Sequence, residues 1–288
     1  MRGLGGVVAA PRQGDHAMTD RSMDGMVAVV TGSTQGLGAA IAREFAAQGA
    51  AGIVTCGRSA ERGAALAREI AGASGCRTHF VCADLGAVAD CRAIIAAAEE
   101  VFGRVDTLVN SAGLTDRGTI LDTSPELFDR MFAVNVRGPF FLMQDAIALM
   151  RKTGTKGTIV NIGSMSALAG QSFLSAYCAS KGALATLTRN TAFSLLRNQI
   201  RVNALNIGWM ASDGEDQIQR RFHGKPEGWQ TEASAGLPNG RLIDPAEVAR
   251  AVAFLASPQS GLMTGSVVEY DQSVWGGYDS APAPEKPM

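Results

Sequence analysis

The strongest constraint on the fold is a regular alternation, from Val27 onward, between short β-branched segments and longer alanine-rich segments. The short segments are nearly continuous in apolar character, which is typical of parallel strands covered on both faces. Repeated strand–helix alternation predicts βαβ units with right-handed crossovers, and therefore an α/β fold with a single doubly wound parallel sheet flanked by helices on both faces. The predicted strands are Val27–Thr31, Gly52–Cys56, His79–Cys82, Val105–Asn110, Gly157–Ile162 and Ile200–Asn206.

The rest of the pattern fixes the domain boundaries. Long helices are predicted at about Pro125–Lys152 and Phe173–Arg197, and a further helix near Pro245–Ala256 leads to a last strand, Ser266–Tyr270. A chain of 288 residues is long enough for two average domains, but doubly wound domains often reach about 250 residues as one unit. We therefore expect one domain over residues 25–280, preceded by a flexible leader (1–24) and followed by a flexible, proline-rich tail (281–288). Met18 and Met23 are alternative starts.

Composition excludes several classes of protein. Apolar residues make up 46% of the chain, charged residues 18%, and the net charge is −1. This balance is typical of a soluble globular protein and lacks the basic surface expected of a nucleic-acid or anionic-membrane binder. No stretch is apolar enough to span a bilayer. Because the five cysteines form no C-x-x-C and no metal-ligand spacing, we expect buried free thiols, no metal site and a cytoplasmic location.

A glycine-rich turn joins the first predicted strand to its helix. The sequence from Thr31 to Gly38 reads TGSTQGLG, and glycine at such a junction allows a tight turn and close approach to a diphosphate at the helix N-terminus. Glycine is also common in turns that bind nothing, but its place in the first βα unit favours a dinucleotide. The absence of Gly-Lys-Ser/Thr excludes a nucleotide-triphosphatase loop. The predicted contacts are Gly32, Ser33, Gln35, Gly36, Leu37 and Gly38.

The end of the second strand indicates which dinucleotide is preferred. An NAD site would place Asp or Glu there for the ribose 2′-hydroxyl, whereas this chain has Arg58 and Ser59. A guanidinium is well suited to a 2′-phosphate, so NADP is favoured over NAD. The alternative is that Arg58 is an ordinary solvated arginine.

Tyr177 and Lys181 form the second informative pair. Their i, i+4 spacing places the phenol and the ammonium on one face of a predicted helix, and the chain has only three tyrosines. A nearby cation favours phenolate and lowers the pKa of the phenol, which would make Tyr177 an acid/base for an alcohol or carbonyl oxygen. A helix-surface pair without a role is the alternative.

Two more strand ends contribute polar and small residues at the same edge of the sheet. The fifth strand is followed by Ser164, and the fourth ends in Asn110-Ser111-Ala112-Gly113. Because ligands of open α/β sheets bind beyond the carboxyl ends of the strands, Ser164 is placed to bind a substrate oxygen, or else to cap a turn. Asn110, Ala112 and Gly113 are predicted to lie against the cofactor.

Taken together, these residues resemble the short-chain dehydrogenase/reductase family, from about Val27 to Tyr270. The resemblance rests on the TGxxxGxG turn, the Asn110–Gly113 turn, Asn135, Ser164 and the Tyr177-x-x-x-Lys181 pair. It implies a Rossmann-type fold and hydride transfer between a nicotinamide cofactor and a secondary alcohol or carbonyl.

The resemblance also implies individual roles. Tyr177 would exchange the proton, Ser164 would polarise the substrate oxygen, Lys181 would bind the nicotinamide ribose, and Asn135 would hold a water linked to Lys181. Asp84 and Leu85 would contact adenine. The family usually forms tetramers or dimers through the two long helices and the last strand. Further cofactor contacts are implied at Gly208, Met210 and Ser212.

This chain departs from the family where Ile207 stands in place of the usual proline before Gly208. Residues 209–240 occupy the position of a substrate lid, and their polar character favours a sugar or polyol over a steroid or acyl chain. A 3-oxoacyl-type carbonyl reductase and a non-catalytic NADP-binding regulator remain as alternatives. A serine hydrolase is disfavoured because the chain lacks G-x-S-x-G, although His223 is loosely placed as a base.

Overall fold

A computed structural model describes residues 21–168 and 170–276; the expected leader up to residue 20 and the tail lie outside the described residues. All pairings in the sheet are parallel, with strand order β3-β2-β1-β4-β5-β6-β7. The strands are β1 Val27–Val30, β2 Gly52–Gly57, β3 Arg77–Cys82, β4 Thr107–Asn110, β5 Thr158–Ile162, β6 Arg201–Ile207 and β7 Val267–Tyr270. The predicted doubly wound α/β fold is confirmed.

Helices cover both faces of this sheet. They are α1 Gly36–Ala47, α2 Ala60–Ser74, α3 Val88–Phe102, α4 Pro125–Phe132, α5 Gly138–Thr153, α6 Ser175–Leu195, α7 Asp213–His223, α8 Trp229–Ala235 and α9 Pro245–Ala256. Phe45 of α1 and Val252 of α9 belong to the core on one face, and Ile94 of α3 and Leu142 of α5 belong to the core on the other. None of the described helices has the length and apolarity to cross a membrane.

The connection order explains where a ligand can bind. The chain runs outward from β1 to β3 and then returns to the other side of β1 as β4. The loops after β1 and β4 therefore leave in opposite directions, which opens a crevice at the carboxyl edge of the strands. The predicted glycine turn and the Asn110–Gly113 turn flank this crevice.

Three details differ from the sequence prediction. Met23, assigned to the leader, is fully buried, and its N–H donates to the carbonyl of Gln48 at 3.1 Å. Strand β3 is an edge strand and is partly exposed, as is Cys82 at its end. The long helix predicted from Pro125 is interrupted by a π-helical turn, Ala133–Arg137. Local sequence does not reveal such an insertion, because it shifts the apolar spacing by only one residue.

Candidate active site

The cofactor end of the crevice is built from backbone. Gly32 and Gly36 adopt positive φ angles of 64° and 53°. A Cβ at Gly32 would lie 2.8 Å from the Cα of Ala112, and a Cβ at Gly38 would overlap the carbonyl oxygen of Gly32. Because these positions have no side chain, the β1 turn, the β4 turn and α1 approach each other closely.

The N-terminus of α1 points into this space without a protein partner for its charge. Its first turn has no acidic residue, and Gln35 makes no side-chain cap. Free N–H groups and the positive end of the helix dipole suit an anion such as a diphosphate. Gln35, Gly36 and Leu37 line a cleft of about 1430 Å³, which is large enough for a dinucleotide and a small substrate together. The residues present therefore fit a nicotinamide dinucleotide.

Two arginines lie at the far end of the cleft. Arg58, the predicted 2′-phosphate contact, follows β2 and lines the cleft, and Arg62 in the first turn of α2 lines it too. The Arg62 guanidinium donates to the side-chain oxygen of Gln35. Sequence reasoning missed Arg62, although its position four residues after Arg58 was a usable signal. Asp84 and Leu85, after β3, line the same end.

Five predicted residues do not line the cleft. Ser59 caps α2 by accepting the Arg62 N–H at 3.4 Å. Ser33 binds the backbone of Val30 and Cys56, Asn110 donates to Asn161 at 2.8 Å, and Gly38 packs against the turn. The fifth, Asn135, is described below. These residues lie behind the cleft and hold the backbone that forms its wall.

The residues expected to carry the chemistry meet at the ends of β4 and β5. Ser164, Tyr177 and Lys181 line the cleft. The Lys181 ammonium donates to the carbonyl of Ile162 at 2.8 Å and lies 5.7 Å from the centre of the Tyr177 ring. A Cβ at Gly113 would lie 3.6 Å from Nζ of Lys181, so the turn after β4 passes close to this buried ammonium.

Burial controls the ionisation of this pair. Burial raises the pKa of the Tyr177 phenol to about 12, opposed by the Ser164 hydroxyl, and it lowers the pKa of Lys181 to about 8. The sequence-based expectation that Lys181 lowers the pKa of Tyr177 was therefore wrong for the protein alone. The physical reason is that desolvation disfavours both charged forms, while the ammonium is directed at the Ile162 carbonyl.

Asn135 lies inside the π-helical turn. Its Oδ1 accepts the N–H of Leu114 at 2.8 Å, and its Nδ2 donates to the carbonyl of Leu114 at 2.9 Å and to the Ser180 hydroxyl at 3.0 Å. The turn thus clamps the loop after β4 to helix α6. Although Asn135 does not line the cleft, it connects the two segments that do.

The opposite wall follows β6. Gly208, Met210 and Ser212, for which cofactor contacts are predicted, line the cleft. A Cβ at Gly208 would overlap the carboxylate of Asp271, and Ser212 caps α7 by accepting the Glu215 N–H at 3.2 Å. The Ser111 hydroxyl, also on the cleft, is buried and has no hydrogen-bond partner within the described chain. Ser111 and Asp271 were not predicted as site residues.

Helices α7 and α8 form the predicted lid segment. The rings of Trp209 and Trp229 stack with centres 5.5 Å apart. Trp209 donates to Glu215 and Trp229 donates to Asp216, each at 2.9 Å. Arg117, from the loop after β4, donates to His223 at the end of α7 at 3.0 Å. That bond occupies Nε2 of the one histidine considered as a hydrolase base.

Comparison with known proteins supports this assignment. Residues 32–275 match a family model described as enoyl-(acyl carrier protein) reductase. Sorbitol dehydrogenase of Cereibacter sphaeroides is 30% identical over 88% of this chain and 98% of its own length. 2-(S)-hydroxypropyl-CoM dehydrogenase 3 of Xanthobacter autotrophicus is 36% identical over 88% and 98%.

A solved structure extends the likeness to the whole fold. L-sorbose reductase of Gluconobacter frateurii, solved with NADPH and L-sorbose, superposes with a TM-score of 0.83 at 27% identity, covering 90% of this chain and all of the reductase. The seven-stranded parallel sheet with helices on both faces agrees with this match. The chain belongs to the short-chain dehydrogenase/reductase family and is an oxidoreductase.

Proposed function

We propose that the protein interconverts a secondary alcohol and a ketone in a small polyhydroxylated substrate, a sugar or polyol, with NADP(H) as the preferred cofactor. The observation that carries this proposal is the position of Ser164, Tyr177 and Lys181 in one cleft with the free N-terminus of α1. The similarity to a sorbitol dehydrogenase and to an L-sorbose reductase supports the substrate class.

Residues of the chain supply the proton and orient the substrate oxygen. Because its pKa lies near 12, the Tyr177 phenol is protonated at neutral pH and can donate to a carbonyl oxygen. The Ser164 hydroxyl lies within hydrogen-bonding reach of the phenol and can hold the same oxygen. Lys181, one helical turn further along α6, holds its ammonium on the Ile162 carbonyl and beside Gly113. When bound, the nicotinamide supplies or accepts the hydride.

The preference for NADP is argued from charge. Arg58 and Arg62 line the end of the cleft beyond β2, and no carboxylate follows that strand at position 58 or 59. Guanidinium groups bind phosphate through paired charge-assisted hydrogen bonds. The L-sorbose reductase structure contains NADPH, which supports the same choice.

We also propose that the protein is a homotetramer or homodimer in solution. Phe140 of α5 and Phe193 of α6 are exposed, at 45% and 76%, and large exposed apolar side chains favour association. Light scattering of the purified chain measures the state directly; a monomer at micromolar concentration contradicts this point.

The function is tested by an oxidation and reduction screen. Sorbitol, galactitol, L-sorbose and simple secondary alcohols are offered with NADP(H) and NAD(H) in parallel, and NADPH absorbance is followed. We expect turnover of at least one polyol or ketose, faster with NADP(H). Tight binding of NADPH without turnover of any compound would instead support a non-catalytic regulator.

A further inference from the structure

Two oppositely charged side chains at the substrate end of the cleft are not used by the chemistry described above. Arg117 lies on the loop after β4, and Glu215 lies in the first turn of α7, after β6. Because β4 and β6 flank β5 in the sheet, these residues approach from the two sides of the strand that leads to Ser164. Both line the cleft and both are half-buried.

Glu215 is held by one of its two oxygens. Its Oε1 accepts from the indole N–H of Trp209 at 2.9 Å and from the amide of Gln219 at 2.7 Å. Trp209 is itself fixed by stacking on Trp229. Within the described chain, Oε2 has no hydrogen-bond partner, so one carboxylate oxygen is oriented and left available.

Arg117 is held in a corresponding way. Its Nε donates to His223 at 3.0 Å, its Nη1 donates to the carbonyl of Thr115 at 2.8 Å, and the guanidinium lies 5.4 Å from the centre of the Phe173 ring. Among the residues that the structure describes, Nη2 has no acceptor. The two N–H groups on Nη2 are therefore fixed in direction and free to bind a ligand.

The two charges do not neutralise each other by contact. No nitrogen of Arg117 lies within 4.0 Å of a carboxylate oxygen in residues 21–168 or 170–276. Both charges nevertheless act on the phenol of Tyr177, since Glu215 raises its pKa and Arg117 lowers it. A substrate held at Tyr177 therefore lies within the field of both.

We propose that Arg117 and Glu215 are substrate-binding residues, a donor and an acceptor that hold the hydroxyl groups next to the reacting carbon and select neutral polyhydroxylated substrates. A hydroxyl both donates and accepts, so it can satisfy either residue. An anionic substrate attracted by Arg117 is repelled by Glu215, and a plain alcohol leaves both half-buried groups unpaired. This inference rests on the proposed function and adds the selectivity to it.

The first test measures kcat/KM for the best polyol from the screen and for 2-hexanol. Arg117→Met and Glu215→Gln are compared with Arg151→Met and Glu227→Gln, which change exposed residues outside the cleft. We expect each site variant to lose about 10- to 100-fold on the polyol, at least tenfold more than on 2-hexanol, chiefly through KM. Equal losses on the two substrates, or no loss on the polyol, overturn the proposal.

The second test adds gluconate, an anionic relative of the polyols. In Glu215→Gln the charge of Arg117 is no longer opposed, so the ratio of kcat/KM for gluconate over the neutral polyol should rise about tenfold. A variant that merely loosens the lid has no reason to favour the anion, and an unchanged ratio overturns the role of Glu215. Glu215→Asp repeats the test with the charge retained, and NADPH binding and thermal unfolding check that the variant folds. Its ratio of kcat/KM for gluconate over the polyol should stay near that of the parent. A rise in Glu215→Asp comparable to that in Glu215→Gln contradicts the charge argument.

The outcomes separate this inference from the proposed function. If the unmodified enzyme has the same kcat/KM for 2-hexanol as for the polyols, the selectivity role fails while the oxidoreductase activity stands. If NADPH binds and no compound is turned over, the proposed function fails first, and the selectivity role falls with it.

Discussion

The two ends of the cleft are built in different ways. At the cofactor end, glycines bring β1, β4 and α1 into contact, and the binding groups are largely backbone N–H groups of one short segment. At the substrate end, the wall is made of side chains, such as Arg117 and His223, that are 106 positions apart in sequence. A short motif can therefore identify the cofactor and the chemistry, whereas selectivity depends on contacts formed only by the fold.

The largest effect is expected where the two ends meet, at Tyr177. Tyr177→Phe removes the proton donor, and we expect kcat to fall about 10³-fold, with the NADPH dissociation constant changed less than about threefold because the cofactor end is backbone-built. Tyr270→Phe makes the same change on β7, outside the cleft, and serves as the control. Stopped-flow kinetics and fluorescence titration measure the two quantities. Residual turnover near that of the parent would remove Tyr177 from its role.

The cofactor preference is the next largest expected effect. Arg58→Asp removes a cation and places an anion where the 2′-phosphate is proposed to lie. We expect the ratio of kcat/KM for NADP over NAD to fall about 100-fold. Arg68→Asp, on the exposed side of α2 and outside the cleft, makes the same charge change as a control. If the cofactor ratio of Arg58→Asp equals that of the control, the preference has another source, and Arg62 becomes the residue to change.

Gly38→Ala tests whether close backbone packing underlies the cofactor end. The added Cβ would overlap the carbonyl of Gly32 and lie 2.9 Å from the Cα of Ser33, so α1 must move away from the turn. We expect a loss of about 1–3 kcal/mol in the free energy of unfolding and weaker NADPH binding. Gly72→Ala is a matched control, because it lies inside α2 with nothing within 4 Å of the added atom and should stabilise by about 0.5–1 kcal/mol. Urea unfolding of both variants decides the point; if Gly38→Ala is as stable as Gly72→Ala, the packing argument is wrong.

The same contrast explains what the sequence could predict. The strands were located to within two residues, because apolar runs and turns are local signals. Ser164 was placed at the ligand edge because it follows a predicted strand, and Tyr177 and Lys181 were singled out by their i, i+4 spacing. The π-helical turn at Ala133–Arg137 was missed, since a single inserted residue leaves the helical pattern intact. Ser33 and Asn110 were predicted as cofactor contacts but point into the protein, which the spacing of residues does not show.

The smallest expected effect is a pH dependence of KM that arises at the substrate end of the cleft. The bond from Arg117 to His223 needs a neutral imidazole nitrogen as acceptor, and desolvation together with Arg117 lowers the pKa of His223 from its usual 6.5. The contact is therefore complete above about pH 6.5 and is lost as the pH falls through the lowered value, when the imidazolium and the guanidinium repel each other. In His223→Gln the amide oxygen accepts the same bond without titrating. We therefore expect KM for the polyol to rise a few-fold more in the parent than in this variant between pH 7 and pH 5, a range about the reference pKa of histidine. Comparing the two proteins cancels the titration of the cofactor phosphate, which is common to both. Identical KM profiles would show that the Arg117–His223 contact does not hold the substrate end together.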